Sequence, residues 1–257
     1  MSPDRGNAVG RVTGFGLIFI FQLWLAHALA YLVHEYAHAF VAWALGYKAN
    51  PLALDYGHLS WENVIYLNDI DENVNYDPIF AAGRGPLASL IAVAGVLFGN
   101  GLFYQLSKHL YAMLKARGRR MLALFMFLCC MMNVGNFISY VPARTFTNHA
   151  DMATVQRGLH ISPWWIVLVL GTPFCIAVWH FFARLLPGAT EFFFPNEKPG
   201  QIFLVIVSAY IVFKFFGNSG LHRYGEVSHW ISVLSVYLFL PLAVIVCWPR
   251  RGMSSPS

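Results

Sequence analysis

The chain has 257 residues, of which 58% are hydrophobic and 11% are charged, and its formal net charge at pH 7 is +5. Soluble domains carry about 25% charged residues, so this composition excludes an ordinary soluble enzyme or binding domain. The positive charges lie next to long apolar segments, as they do in membrane proteins, and we therefore expect no nucleic-acid partner.

Long apolar blocks recur along the chain, each without the periodicity of an amphipathic helix or strand. A run of about 20 apolar residues is long enough to cross a bilayer as a helix. Six blocks predict an all-α polytopic membrane protein that forms a single membrane domain over residues 1–257. The predicted spans are Val12–Leu45, Pro78–Phe103, Met121–Val141, Trp164–Leu186, Ile202–Phe216 and Trp230–Trp248.

The first predicted span contains the sequence His34-Glu35-Tyr36-Ala37-His38. Two histidines four residues apart on a helix project from one face, so both imidazoles can reach one zinc ion. A glutamate beside the first histidine can accept a proton from a water that the metal acidifies. A carboxylate at membrane depth costs about 2.5–3.5 kcal/mol, and a metal ion would offset that cost. The motif predicts a zinc site; a polar helix end at the membrane interface without metal is the alternative.

Two other features of the first span have simpler interpretations. Ala28-Leu29-Ala30 follows an apolar stretch as in a secretion signal, but the apolar run continues to His34, so we expect no cleavage there. His27 precedes His34 by seven residues and lies on a similar helix face. We interpret His27 as a packing histidine, with a supporting contact to the metal site as the alternative.

The segment after the first span is acidic, and the segment after the second is basic. Asn50–Asn75 mixes apolar and polar residues, which indicates short strands or an interfacial hairpin.

Because basic loops stay in the cytoplasm, we predict cytoplasmic termini, an external acidic loop and a cytoplasmic Tyr104–Arg120 loop in a bacterial-type cell membrane. Contact with anionic lipid head groups is a further possibility for the basic residues. These are Lys108, Lys115, Arg117, Arg119 and Arg120, together with Arg5, Arg11, Arg250 and Arg251 near the termini.

Small residues open the second span and cysteines lie in later ones. Gly83, Gly85 and Pro86 are expected to permit close helix approach or a bend. The four cysteines lie within predicted spans without the spacing of a metal knuckle, so we interpret them as packing residues. They are Cys129, Cys130, Cys175 and Cys247.

Three segments of the chain resemble the site-2 protease family of intramembrane zinc metalloproteases. They are Val33–Ala42 with Gly46 after it, Ala81–Ser89, and the stretch from Asn136 to Asp151-Met152. In the third segment the family has asparagine, proline and then Asp-Gly; here the gap from Pro142 to Asp151 is longer and Met152 replaces the glycine. The resemblance covers a metalloprotease core over residues 12–152, and residues 153–257 add further transmembrane helices.

The resemblance implies a zinc-dependent intramembrane endopeptidase with a membrane protein as its substrate. Glu35 would be the general base, and Asp151 would join His34 and His38 as the third zinc ligand. His149 is the competing ligand, and an acid at position 151 that binds no metal is the third possibility. Asn136 would orient the substrate or hold the carbonyl oxygen as it becomes charged, with Asn133 as an alternative and a packing role for Asn136 also open.

Two other function classes stay open at this point. One is a membrane scaffold or regulatory protein that retains the motif without catalysis. The other is a di-iron membrane desaturase or hydroxylase, although such enzymes need several histidine boxes and this chain has one HxxxH motif.

Overall fold

The computed structural model describes residues 3–221 and 224–249, with side chains from residue 14 onward. Within these residues, 6 helices are long and apolar enough to cross a membrane, which confirms the prediction of an all-α polytopic membrane protein. The helices are α1 (Pro3–Ala44), α2 (Trp61–Tyr66), α3 (Asp77–Ala81), α4 (Gly85–Ala116), α5 (Arg120–Ala143), α6 (Ala150–Leu159), α7 (Pro163–Phe193), α8 (Lys198–Leu221) and α9 (Glu226–Val246). Arg250 and Arg251 lie outside the described residues, as do the side chains of Arg5 and Arg11.

The second span begins and ends later than the sequence predicts. α3 and a turn at Gly83, where φ is +69°, precede α4, and α4 continues to Ala116. Most of the predicted Tyr104–Arg120 loop is therefore helical. The helix continues because Tyr104 and Tyr111 bury one face, and Lys108 and Lys115 lie one turn further along that same face, each with its ammonium nitrogen 5.9 Å from the centroid of the preceding tyrosine ring. The Lys115 ammonium also donates to the Gly188 carbonyl at 2.9 Å.

The segment between α1 and α3 packs onto α1 and contains no strand among its residues, all of which are described. Its single antiparallel bridge joins Asp55 to Asp71. The buried Asn63 side chain donates to the carbonyls of Tyr56 and His58 at 2.9 Å each, which holds the loop around α2. The apolar side chains Leu54, Leu67 and Ile70 are buried together with Ala28 and Ala39 of α1.

α5 is the central helix, in contact with α1, α4, α7 and α8. Small residues let the backbones approach closely, as is common between membrane helices: a Cβ at Gly99 would lie 2.9 Å from the His34 Cα, and one at Gly135 would lie 2.1 Å from the Phe216 ring. Many large apolar side chains face outward instead, as expected for lipid contact.

The cysteines are free thiols with different surroundings. Cys129 and Cys130 are packed in the main core, in agreement with the packing interpretation. Cys175 is exposed on α7, and Cys247 directly follows α9.

Candidate metal centre

α1 and α6 bring together the three residues proposed as metal ligands. The Nε2 atoms of His34 and His38 are 3.0 Å apart, and the Asp151 Oδ2 lies 3.4 Å from the first and 3.5 Å from the second. A tetrahedral zinc ion with bonds of about 2.0–2.2 Å separates its ligand atoms by roughly 3.3–3.6 Å. The three atoms therefore fit one zinc ion with adjustments of a few tenths of an ångström.

The hydrogen bonds of the two imidazoles fix which nitrogens face each other. His34 Nδ1 lies 2.7 Å from Asn100 Oδ1, and His38 Nδ1 lies 2.7 Å from the Ile91 carbonyl oxygen. Both partners are acceptors, so each Nδ1 carries the hydrogen and each neutral ring presents a lone pair at Nε2. Two lone pairs 3.0 Å apart repel each other unless a cation lies between them. The centre is thus built for a cation, either a metal ion or a proton.

Asn100 and Asn133 form the buried support of His34. Asn100 Nδ2 donates to the Ala30 carbonyl at 3.2 Å and to Asn133 Oδ1 at 3.0 Å, which turns its own Oδ1 towards His34. Asn133 in turn donates to the Cys129 carbonyl at 2.8 Å. Such outer partners hold the orientation and basicity of a metal-binding histidine. Sequence reasoning missed Asn100, although an asparagine inside an apolar span is itself a signal of a buried partner.

Gly95 on α4 leaves the space in which the imidazole nitrogens meet. A Cβ at this position would lie 2.2 Å from His38 Nε2 and 2.5 Å from His34 Nε2. The turn here is wound as a π-helix over Gly95–Leu102, a feature that often marks functional sites. Any side chain at Gly95 would fill the space between the two Nε2 atoms and α4, so a glycine at this position supports the fit of an ion.

Close packing of α6 on α4 brings Asp151 to the histidines. A Cβ at Gly85 would lie 2.7 Å from the Gly158 carbonyl oxygen, and the Ser89 hydroxyl donates to the Val155 carbonyl at 3.2 Å. Gly85 therefore permits close helix approach, as the sequence predicts. Ala150, with φ of +65°, turns the chain into the left-handed region immediately before Asp151.

The Asp151 carboxyl group faces both imidazoles. Burial alone would raise the pKa of this carboxyl group, but a positive charge at His38, as when that ring is protonated, and hydrogen bonds from both imidazoles outweigh burial and hold the pKa below its usual range. An ionised carboxylate is the form that binds a metal ion.

His149, the competing third ligand, lies elsewhere. It is exposed, its Nδ1 is 2.9 Å from the Thr147 hydroxyl oxygen, and its ring stacks on Tyr224. His27 forms a hydrogen bond of 3.2 Å with the Tyr66 carbonyl, as a packing histidine would. Met152, where the resembling family has glycine, is buried in the main core.

A polar cavity of about 770 Å³ lies beside the metal centre. The ring of Tyr140 forms part of its wall and also stacks on His34, with the ring centroids 4.4 Å apart. Asn136 lies on the same wall and donates to the Met132 carbonyl of its own helix at 3.1 Å. The other asparagine considered from the sequence, Asn133, is fully buried and supports Asn100 instead.

Glu35 is also buried, next to the first histidine of the centre and with 5% of its surface exposed. No protein-family model, no curated protein and no solved structure matches this chain. The resemblance to site-2 proteases therefore stays a prediction, and the case for a function depends on the arrangement of His34, His38, Asp151 and the groups around them.

Proposed function

We propose that this protein is a zinc-dependent intramembrane endopeptidase that hydrolyses a peptide bond in or near a membrane-spanning segment of its substrate. The observation that carries the proposal is the convergence of His34, His38 and Asp151, whose ligand atoms are 3.0–3.5 Å apart. Two histidines and one carboxylate are a ligand set of hydrolytic zinc sites, and they leave one coordination position open.

The same residues suggest how the reaction proceeds. When bound, zinc supplies a Lewis acid that polarises the scissile carbonyl group and lowers the pKa of water. Glu35 accepts the proton of the attacking water and later delivers it to the leaving amine. Asn136, on the cavity wall, has a second amide hydrogen that it can donate to the carbonyl oxygen as negative charge develops.

The cavity beside the centre suits an unwound peptide. Every backbone group of a membrane helix is already hydrogen-bonded, so a substrate segment must unwind before its carbonyl can be attacked, and its freed groups then need partners. Polar side chains on the cavity wall offer such partners. They include Asn68, Asn136, Ser139, Asn218, Ser219 and the tyrosines Tyr31, Tyr66 and Tyr210.

Zinc quantification and a cleavage assay test the proposal together. Full-length protein in lipid should contain one zinc ion per chain and cleave a model membrane-spanning peptide. Glu35→Gln should abolish cleavage and retain zinc, because the glutamate lies beside the ligands without being one of them. Zinc-free protein, or equal cleavage by the variant, would refute the proposal.

Two competing functions give different results in the same experiments. A membrane scaffold that keeps the motif would retain its cellular function in Glu35→Gln. A di-iron desaturase or hydroxylase would contain two iron ions per chain. Among the residues that the structure describes, His34, His38 and Asp151 are the one cluster of three metal-binding side chains, which favours a single ion.

The charge distribution supports an orientation for the protein. We infer a bacterial-type cell membrane with both termini and the basic end of α4 in the cytoplasm, since Lys115, Arg117 and Arg119 lie there and basic segments are retained inside. Impermeant maleimide should then label a cysteine placed at Glu62 from outside the cell and fail to label one placed at Arg117. The reverse pattern would invert the orientation.

A further inference from the structure

Arg144 is a partly buried cation with no carboxylate within 4.0 Å among the described residues. It follows α5 and lines the polar cavity, with its guanidinium carbon 4.0 Å from the centroid of the Tyr140 ring and 5.8 Å from that of Tyr224. Its Nε is buried and has no hydrogen-bond partner. In the described part of the chain, the ion pairs within 4.0 Å do not include Arg144. Aromatic faces compensate only part of the desolvation of a charge, so the site favours an added anion.

A second cation faces the same cavity. Lys214 of α8 lies on its wall. Glu62 is the one carboxylate among the residues that line the cavity. Glu62 lies on α2 and is exposed to its surroundings. The wall therefore carries two cations against one solvated carboxylate, and the carboxylate of Asp151 in the candidate metal centre also acts on Arg144 from behind the wall.

The position of Arg144 relates the cavity to the metal centre. The Tyr140 ring contacts both groups: its centroid lies 4.0 Å from the Arg144 guanidinium carbon and 4.4 Å from the centroid of the His34 imidazole. The guanidinium carbon and the imidazole centroid are therefore at most about 8 Å apart. Because an extended peptide rises about 3.3 Å per residue, this distance is spanned by roughly two residues of a bound substrate. A group held by Arg144 would thus belong to the substrate near its scissile bond.

We propose that Arg144 and Lys214 form a carboxylate-binding subsite that selects substrates with an aspartate or glutamate about two residues from the scissile bond. The inference rests on the proposed function and adds to it the substrate class. Arginine binds a carboxylate through two parallel hydrogen bonds, which gives orientation as well as affinity. A free C-terminal carboxylate presents the same chemistry and is the other source to be distinguished.

Binding to the inactive Glu35→Gln protein in lipid tests the subsite without catalysis. Fluorescent membrane-spanning peptides that differ only by Glu or Gln near the scissile bond are compared, each with a free or an amidated C-terminus. The Glu peptide should bind about tenfold more tightly, because hydrogen bonds to an ionised carboxylate are stronger than those to a neutral amide. A preference that depends only on the free C-terminus would identify the terminal carboxylate as the group that is bound.

Variants then assign the preference to the two cations. Arg144→Gln and Lys214→Gln, each with Glu35→Gln, should lose the preference for the Glu peptide and bind the Gln peptide as before. Arg157→Gln is the matched control, because Arg157 also stacks on an aromatic ring, that of Phe80 at 3.9 Å, but lies outside the cavity. Zinc content shows that each variant is folded.

Three results would overturn the subsite. They are equal binding of the Glu and Gln peptides, a preference that survives in both cation variants, and loss of the preference when vesicles of zwitterionic lipid are replaced by anionic phosphatidylglycerol. The last result would show that a lipid phosphate occupies the site. All three leave cleavage and zinc binding by the wild-type protein untouched. Failure of the proposed function would instead appear as missing zinc or missing cleavage.

Discussion

Gly95 is the position where a single added methyl group should prevent metal binding at the proposed centre. The Cβ of an alanine there would lie 2.2 Å from His38 Nε2 and 2.5 Å from His34 Nε2, whereas real Cβ contacts are essentially never shorter than 3.0 Å. One imidazole must therefore retreat by roughly 1 Å, and zinc sites tolerate ligand distances only within about 0.2 Å. The ring cannot rotate away freely, because each Nδ1 is held by a buried acceptor at 2.7 Å.

The expected loss of zinc affinity for Gly95→Ala is at least about 100-fold. Loss of an outer hydrogen-bond partner alone weakens metal sites about 10–100-fold, and here a ligand itself is displaced. The dissociation constant is measured by competition with a chromophoric chelator, and zinc per chain by mass spectrometry. Alanine is the better helix former by about 1 kcal/mol, so a general loss of helix is not expected from propensity.

Gly101→Ala is the matched control on the same helix. A Cβ at Gly101 would meet only the Val96 carbonyl oxygen, at 3.6 Å, which is an ordinary contact. This variant should bind zinc as the wild type does. If Gly95→Ala kept wild-type zinc affinity, the two imidazoles would not meet beneath α4 as described, and the proposed centre would have to be abandoned.

Three further experiments test the surroundings of the centre. Asn100→Leu leaves Nδ1 of the first histidine without its acceptor, so the chelator assay should show zinc affinity about 10–100-fold weaker; an unchanged value would contradict the supporting role. Asp151→Ala should lose zinc and His149→Ala should keep it, and the opposite pattern would reverse the ligand assignment. Gly158→Ala would place a Cβ 2.2 Å from the α4 backbone and displace α6, so zinc should bind more weakly than in Gly171→Ala, whose Cβ makes a 3.4 Å contact; equal affinities would show that α6 can shift without moving its carboxylate.

The membrane spans could be predicted because apolar length is a property of each segment by itself. The prediction was wrong at the second span, where Pro78 was included and the helix beyond Phe103 was not. In the C-terminal half of α4, the buried Tyr104 and Tyr111 alternate with Lys108 and Lys115 along one face, so its sequence is not a continuous apolar block. Helix continuation there depends on packing against α5, which hydropathy does not contain.

The sequence predicts the site residues that lie close together in the chain better than those that another helix supplies. His34 and His38 share a face because of helix geometry alone, and the structure places them as the spacing indicates. The sequence leaves both Asp151 and His149 as candidates for the third ligand, because only the contact of α6 with α4 decides which of them reaches the histidines. The backbone turn at Ala150, with φ of +65°, and the packing at Gly158 direct Asp151 inward and leave His149 exposed.

Gly95, Asn100 and Arg144 could not be assigned from the sequence because their roles are defined entirely by neighbours from other helices. Each nevertheless has a trace in the sequence. A polar or charged side chain next to an apolar span costs free energy unless it has a partner, so Asn100 and Arg144 both indicate one. The partner differs: Asn100 finds its partners inside the chain, and Arg144 has no carboxylate among the described residues.

Polar groups with partners inside the chain, such as Asn100, hold the structure together, whereas Arg144, which has no carboxylate partner among the described residues, is a candidate for ligand binding. The side chains of His34, Asn100 and Asn133 link α1, α4 and α5 through hydrogen bonds of 2.7–3.2 Å, which is the arrangement that makes a buried polar network stabilising. Where the network ends, the facing lone pairs of His34 and His38 can bind a cation, and the Arg144 guanidinium can bind an anion. In a medium where unpaired charge is costly, these two positions are where a metal ion and an acidic substrate would each contribute the most stabilisation.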